Sequence, residues 1–310
     1  MAISSQAWKR ALPLVVSAAC LAWVFSRFDV RGVIDSLSWN IAFALLPALF
    51  LYGGATLLIE SASILRLIDR RPPDFGAWTA ARVKSASYLL GIVNYALGGA
   101  ALTVLLRRRA ALGLGESAGI VLLISVTDLC VVLTLGTLGV LAHADRLAID
   151  FGLVSVAGVG FFGGVILLRT QANLGPLERI RSLAVFDALR RTPSKNLWQI
   201  AGLRLIFSFC FIAVAGAAFV GFGVPVGLAQ LVGGVMILAL IGALPIAVAG
   251  IGPGQIAAVE VFRGVAPPET LLALSLVLAG GLIALRAGMG LLFAREFTRE
   301  ALEQTRGTQA

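Results

Sequence analysis

Five ionisable side chains lie inside otherwise apolar stretches of this sequence: Glu60, Asp128, Arg204, Glu260 and Arg286. Charge at that depth is costly in a membrane, so such residues face protein or a wet cavity and mark ion or substrate paths. A guanidinium offers a planar fork that grips phosphate oxygens in pairs, which makes Arg204 and Arg286 candidates for holding an anionic headgroup. Asp128 and Glu260 are the carboxylates placed to carry a proton, and Asp128 is also a candidate substrate-binding residue. The same residues also fit a structural role, in which internal ion pairs such as Asp128 with Arg204 lock helices together. Asn94 and Gln255 are uncharged amides beside breaks in the apolar pattern. There they either satisfy freed backbone groups or contact a ligand.

Other chemistry is poorly provided for. The one histidine is His143, and Cys20, Cys130 and Cys210 are far apart in apolar surroundings. No nucleophile–base set and no metal-ligand spacing emerges, and no Gly-Lys-Ser/Thr loop would cradle a nucleotide. The expectation is a protein without catalytic residues, metal or cofactor.

The elements that must position these residues are membrane helices. The 310 residues are 59% hydrophobic and 13% charged, with a mean hydropathy of +0.95. Soluble domains carry about 25% charged residues. Apolar stretches long enough to cross a bilayer recur at 11–25, 41–65, 117–142, 151–168, 197–220 and 271–293. The first follows Lys9 and Arg10 and reads as an uncleaved span, not a removed leader. The net charge of +9 sits in short loops, a topology signal that argues against nucleic acid as partner.

Two apolar regions are irregular. Residues 81–106 carry Arg82, Lys84 and Asn94 and then Gly98 and Gly99, while 228–262 is broken by Pro245, Gly250, Gly252, Pro253 and Gly254. If both cross the membrane once, Lys and Arg divide 11 against 12 between the two sides. If both are re-entrant hairpins, the division is 19 against 4, as the positive-inside rule requires. The expected fold is therefore an all-α polytopic membrane protein with about six full spans and two re-entrant helical hairpins.

Each hairpin is framed by two spans, giving a first unit at 41–142 and a second at 197–294. The hairpins open on opposite sides, which makes the units an inverted repeat. Residues 1–40 form the first span and loop, and 295–310 a polar tail. Residues 143–196 connect the units through a further span and a basic segment. In that segment Leu177, Ile180, Leu183 and Leu189 recur opposite Arg179, Arg181, Arg190 and Arg191. This fits an amphipathic helix on the cytoplasmic leaflet, and equally a basic linker.

The run Leu244-Pro245-Ile246-Ala247-Val248-Ala249-Gly250-Ile251-Gly252 resembles the C-terminal signature of the lysylphosphatidylglycerol synthase transmembrane-region family, with Gln255 where a glutamate is usual. Asn94-Tyr95-Ala96-Leu97-Gly98-Gly99 is similar to that family's asparagine-then-proline-glycine segment, without the proline. Asp128 falls where the family ends a Glu-Arg-x-x-Asp motif, here with Ile124 and Ser125 in the first two places. The resemblance implies a flippase-like or lipid-handling protein of the bacterial inner membrane, without the namesake's aminoacyl-transferase domain. The resulting expectation is a lipid transporter with both termini cytoplasmic, its partner a lipid with an anionic headgroup. The alternative is a non-transporting scaffold or accessory subunit for an envelope enzyme.

Overall fold

The computed structural model describes residues 30–68, 72–142, 163, 165–166, 169–170, 183–243 and 252–307. After a short helix, α1 (Val30–Asp35), comes the first long one, α2 (Trp39–Leu67). Then follow α3 (Ala77–Val93), α4 (Tyr95–Arg109) and α5 (Leu114–Ala142). A 3-10 turn (Ala184–Phe186) leads into α6 (Asp187–Arg191), and then come α7 (Ser194–Gly221), α8 (Leu228–Ala243), α9 (Pro253–Val261) and α10 (Pro268–Gly307).

Among these, α2, α5, α7 and α10 are long and apolar enough to cross a membrane. They coincide to within a few residues with four of the expected spans. Their outward faces are oily: Trp39, Phe43, Phe50, Leu51 and Leu58 are each at least 74% exposed. That is the surface of a protein solvated by hydrocarbon. Pro47 sits inside α2 without ending it. The expected span at 11–25, most of that at 151–168, residues 171–182 of the basic segment, Pro245 and Gly250 lie outside the described residues.

Both irregular regions form helical hairpins among the described residues. In the first, α3 and α4 fold back on each other at Asn94. There the Asn94 side-chain oxygen accepts the Ala96 N–H at 2.8 Å and caps α4. The two helices then cross in close contact, since a Cβ on Gly98 would stand 2.8 Å from the Gly91 Cα. At the open end of this hairpin, Ala80, Val83, Leu102 and Leu106 join Ile64 of α2 and Ile120 of α5 in one apolar cluster.

In the second hairpin α8 and α9 fold back similarly, with Gly234 against the Phe262 ring just past the end of α9. Its open end packs with Phe219 near the end of α7, Leu272 of α10 and Ile41 at the start of α2. The hairpins thus enter the bundle from opposite ends.

The two units exchange partners. Helices α2 and α7 pack antiparallel, with Ile41 meeting Gly221 at one end and Arg66 meeting Gln199 at the other. The last helix of each unit lies on the first hairpin helix of the other. Thus α5 meets α8 where Gly139 faces Gly233, and α10 meets α3 where Gly290 faces Leu89 and Trp78 packs edge-on to Phe293. Small residues allow such close approach between helices in lipid.

Of the basic segment, the described part is the turn at 184–186 and α6. Both lie against the start of α5, where Gly115 and Gly119 leave room for Ala184 and Ala188. Leu189 is buried, and Arg190 and Arg191 both pair with Asp187.

Candidate functional site

Inside the bundle, between the two hairpins, is a cavity of about 530 Å³. Helix α2 contributes Tyr52 and Glu60, α3 contributes Lys84 and Tyr88, and α4 begins with Tyr95 at its rim. Asp128 reaches it from α5, Arg204 from α7, Gln255 from α9 and Arg286 from α10. The chain has three tyrosines, and all three line this space. Towards the second hairpin the walls are apolar, with Met236, Phe262, Leu274 and Leu278 among them.

Two arginines that look alike in the sequence have different surroundings. Arg204 is 1% exposed, and both its terminal nitrogens are bonded to protein. Its Nη1 donates to Glu60 Oε1 at 2.9 Å, its Nη2 donates to Ser63 Oγ at 2.9 Å, and its guanidinium lies over the Phe207 ring. The second oxygen of Glu60 faces Lys84 Nζ at 3.3 Å. Glu60 therefore joins α2, α3 and α7 through one buried carboxylate shared by two cations. The expected pairing of Arg204 with Asp128 is corrected: Glu60, 144 residues away in sequence, is the partner.

Arg286 is half-buried beside Tyr52, and no carboxylate among the described residues lies within ion-pair distance of it. It is also at mid-depth. Its neighbour Leu285 meets Gly53, the midpoint of α2, and Gly281 meets Leu49 one turn away, so α2 and α10 run parallel here. Asp128 is the central residue of α5. Its Oδ1 is shielded from solvent and has no hydrogen-bond partner among the described residues. The cavity thus holds an acid and a base, each at the middle of its span, that lack a direct ion-pair partner among the described residues.

The remaining expected site residues divide between cavity and surface. Asn94 and Gln255 both serve backbone: Gln255 Oε1 accepts the Gly252 N–H at 2.6 Å, closing the start of α9 as Asn94 closes the start of α4. Gly98, Gly99 and Gly254 line the cavity, and Pro253 is the first residue of α9. Gly252 has φ +106°, a conformation glycine alone adopts freely. Glu260 is corrected as a proton-carrier candidate, since it is exposed and pairs with Arg263 one turn on, away from the cavity.

Lys84, which the sequence places in the first irregular region, and the three tyrosines were not among the expected site residues. The available signal was their clustering, because Tyr52, Tyr88 and Tyr95 all fall in the first unit.

No curated protein matches this chain. The family model for the lysylphosphatidylglycerol synthase TM region matches residues 10–282, which include both hairpins and every cavity residue named above except Arg286. With nearly the whole helical bundle inside that match, the chain belongs to the lysylphosphatidylglycerol synthase TM region family.

Proposed function

We propose that this chain carries an amphipathic lipid across the membrane, with the phosphate of its headgroup held by Arg286 in the cavity between the hairpins. The observation that carries this reading is a guanidinium at mid-depth of the bundle, lining open space with no carboxylate among the described residues within ion-pair distance of it. A buried cation is tolerated when something anionic completes it. A scaffold has no need of such space, and a packed bundle would have filled it.

The mechanism follows from the exchange of partners between units. Antiparallel α2 and α7, with hairpins entering from opposite ends, support the reading of the two units as an inverted repeat. In such transporters, rocking of one unit on the other opens a midplane site alternately to the two sides. The apolar walls towards the second hairpin supply a place for acyl chain while the headgroup is held at the charged side.

The direct test is movement of acyl-labelled phospholipids between the leaflets of vesicles containing the purified chain. Arg286→Lys keeps the charge but loses the fork that binds phosphate oxygens in pairs, and should slow movement about tenfold or more. Normal movement in a stable Arg286→Lys variant would remove Arg286 from the site.

We place the protein in the bacterial inner membrane with both termini cytoplasmic, supported by the 19-to-4 division of Lys and Arg. A single cysteine at exposed Arg108, in a background without Cys20, Cys130 and Cys210, should resist an impermeant thiol reagent added to intact cells. Labelling from outside would reverse the orientation of the first hairpin.

A further inference from the structure

If lipid carriage is accepted, the cavity's two unmatched charges narrow the class of headgroup. Five charged residues line it: Glu60, Lys84, Asp128, Arg204 and Arg286. Three of these hold one another directly: Glu60 is bonded to Arg204 and paired with Lys84. Asp128 and Arg286 have no such direct ion-pair partner among the described residues, and each is borne at the middle of a long helix, α5 and α10 respectively. They share one cavity and form no ion pair with each other.

Opposite charges facing the same low-dielectric space attract strongly unless their helices hold them apart. Here both sit on rigid spans, so the gap between them is a property of the fold. A ligand bearing an anion alone would satisfy Arg286 but would meet the Asp128 carboxylate at the same depth, a like-charge contact that costs affinity. A ligand bearing an anion and a cation satisfies both. We infer that the headgroup of this cavity is zwitterionic, with its phosphate on Arg286 and its ammonium on Asp128. The tyrosines suit this division: Tyr52 stands beside Arg286, and Tyr95 stands near Asp128. Cation–π attraction from such a ring adds to the hold on an ammonium group.

The experiment compares two acyl-labelled lipids in vesicles containing the full chain: a phosphatidylethanolamine and a phosphatidylglycerol. Both carry the phosphate, and the ethanolamine lipid alone carries the ammonium. Wild-type protein should move the ethanolamine lipid about tenfold faster, the discrimination expected where one headgroup meets a like charge and the other an opposite one. Asp128→Asn should reduce that preference to below about threefold, chiefly by slowing the ethanolamine lipid. Arg286→Gln should slow both lipids together. Asp128→Ser, a smaller neutral side chain, gives the same answer should the Asn variant misfold.

Equal wild-type rates for the two lipids, or faster glycerol lipid, would overturn the zwitterion assignment while leaving lipid carriage intact. Equal slowing of both lipids by Asp128→Asn, the behaviour of a proton carrier, would overturn it as well. A wild-type protein that moves neither lipid would remove the carrier reading itself, and the assignment with it.

Discussion

Replacing Glu60 by Gln should destabilise the protein by about 3–5 kcal/mol, the range for removing one partner of a buried ion pair. The reason is that two cations depend on this carboxylate. Arg204, with 2% of its side chain exposed, and Lys84, with 17%, would be left facing each other with no anion between them. Thermal unfolding in detergent reads the loss directly. Adding Arg204→Met to Glu60→Gln should recover much of it, because the unpaired charge is then replaced by a side chain of similar volume. Asp128→Asn should hardly move the melting temperature, since Asp128 has no hydrogen-bonded partner among the described residues to lose. If Glu60→Gln and Asp128→Asn melted alike, the three-way contact would have no structural weight.

Gly139→Ala should be nearly as damaging, although it adds only one methyl group. A Cβ at this position would stand 2.3 Å from the Gly233 Cα and 2.5 Å from the Gly233 nitrogen. These are backbone atoms of α8, which cannot swing aside as a side chain would. The helices must separate, and overpacking of this kind costs about 1–3 kcal/mol or more. Because α5 belongs to the first unit and α8 to the second, the damage falls on the seam between them. Gly54→Ala and Gly242→Ala are the controls, since nothing lies within 4 Å of a Cβ at either glycine. Folded yield and melting temperature should drop for Gly139→Ala and stay put for the controls. Equal yields across the three would mean that α5 and α8 are not packed as described.

The spans and hairpins could be read in the sequence because membranes impose two one-dimensional rules, apolar length and the side on which cations lie. Asn94 and the Gly98-Gly99 pair marked the first break correctly, since a cap and a close crossing need those residue types. The partner of Arg204 could not be read that way. Hydropathy says that a charge is buried but not which of several buried carboxylates it meets, and Glu60 and Asp128 were equivalent on that measure. The division of labour between Arg204 and Arg286 was hidden for the same reason: both are arginines inside spans, and only the packing of α2 on α7 separates them. Glu260 was different. Arg263 follows it at helical spacing, a visible sign of an exposed local pair that its apolar neighbours obscured.

The sharing of Glu60 also bears on the order in which the chain is made. Glu60 and Lys84 leave the ribosome close together, whereas Arg204 follows about 120 residues later, roughly 6–24 s at about 5–20 residues per second. Through that interval the lysine can hold the carboxylate as a neutral pair, so Glu60 enters the bilayer already matched. Arg204 then arrives on α7 and finds an acid already in place on α2. Gly290, which closes α10 over Leu89 of the first hairpin, comes about 200 residues after that leucine, or roughly 10–40 s at the same rate. Until then the hairpin's α10-facing side is bare to lipid. Nascent chains cut short before α10 should therefore expose this side and be the ones that cellular quality control removes.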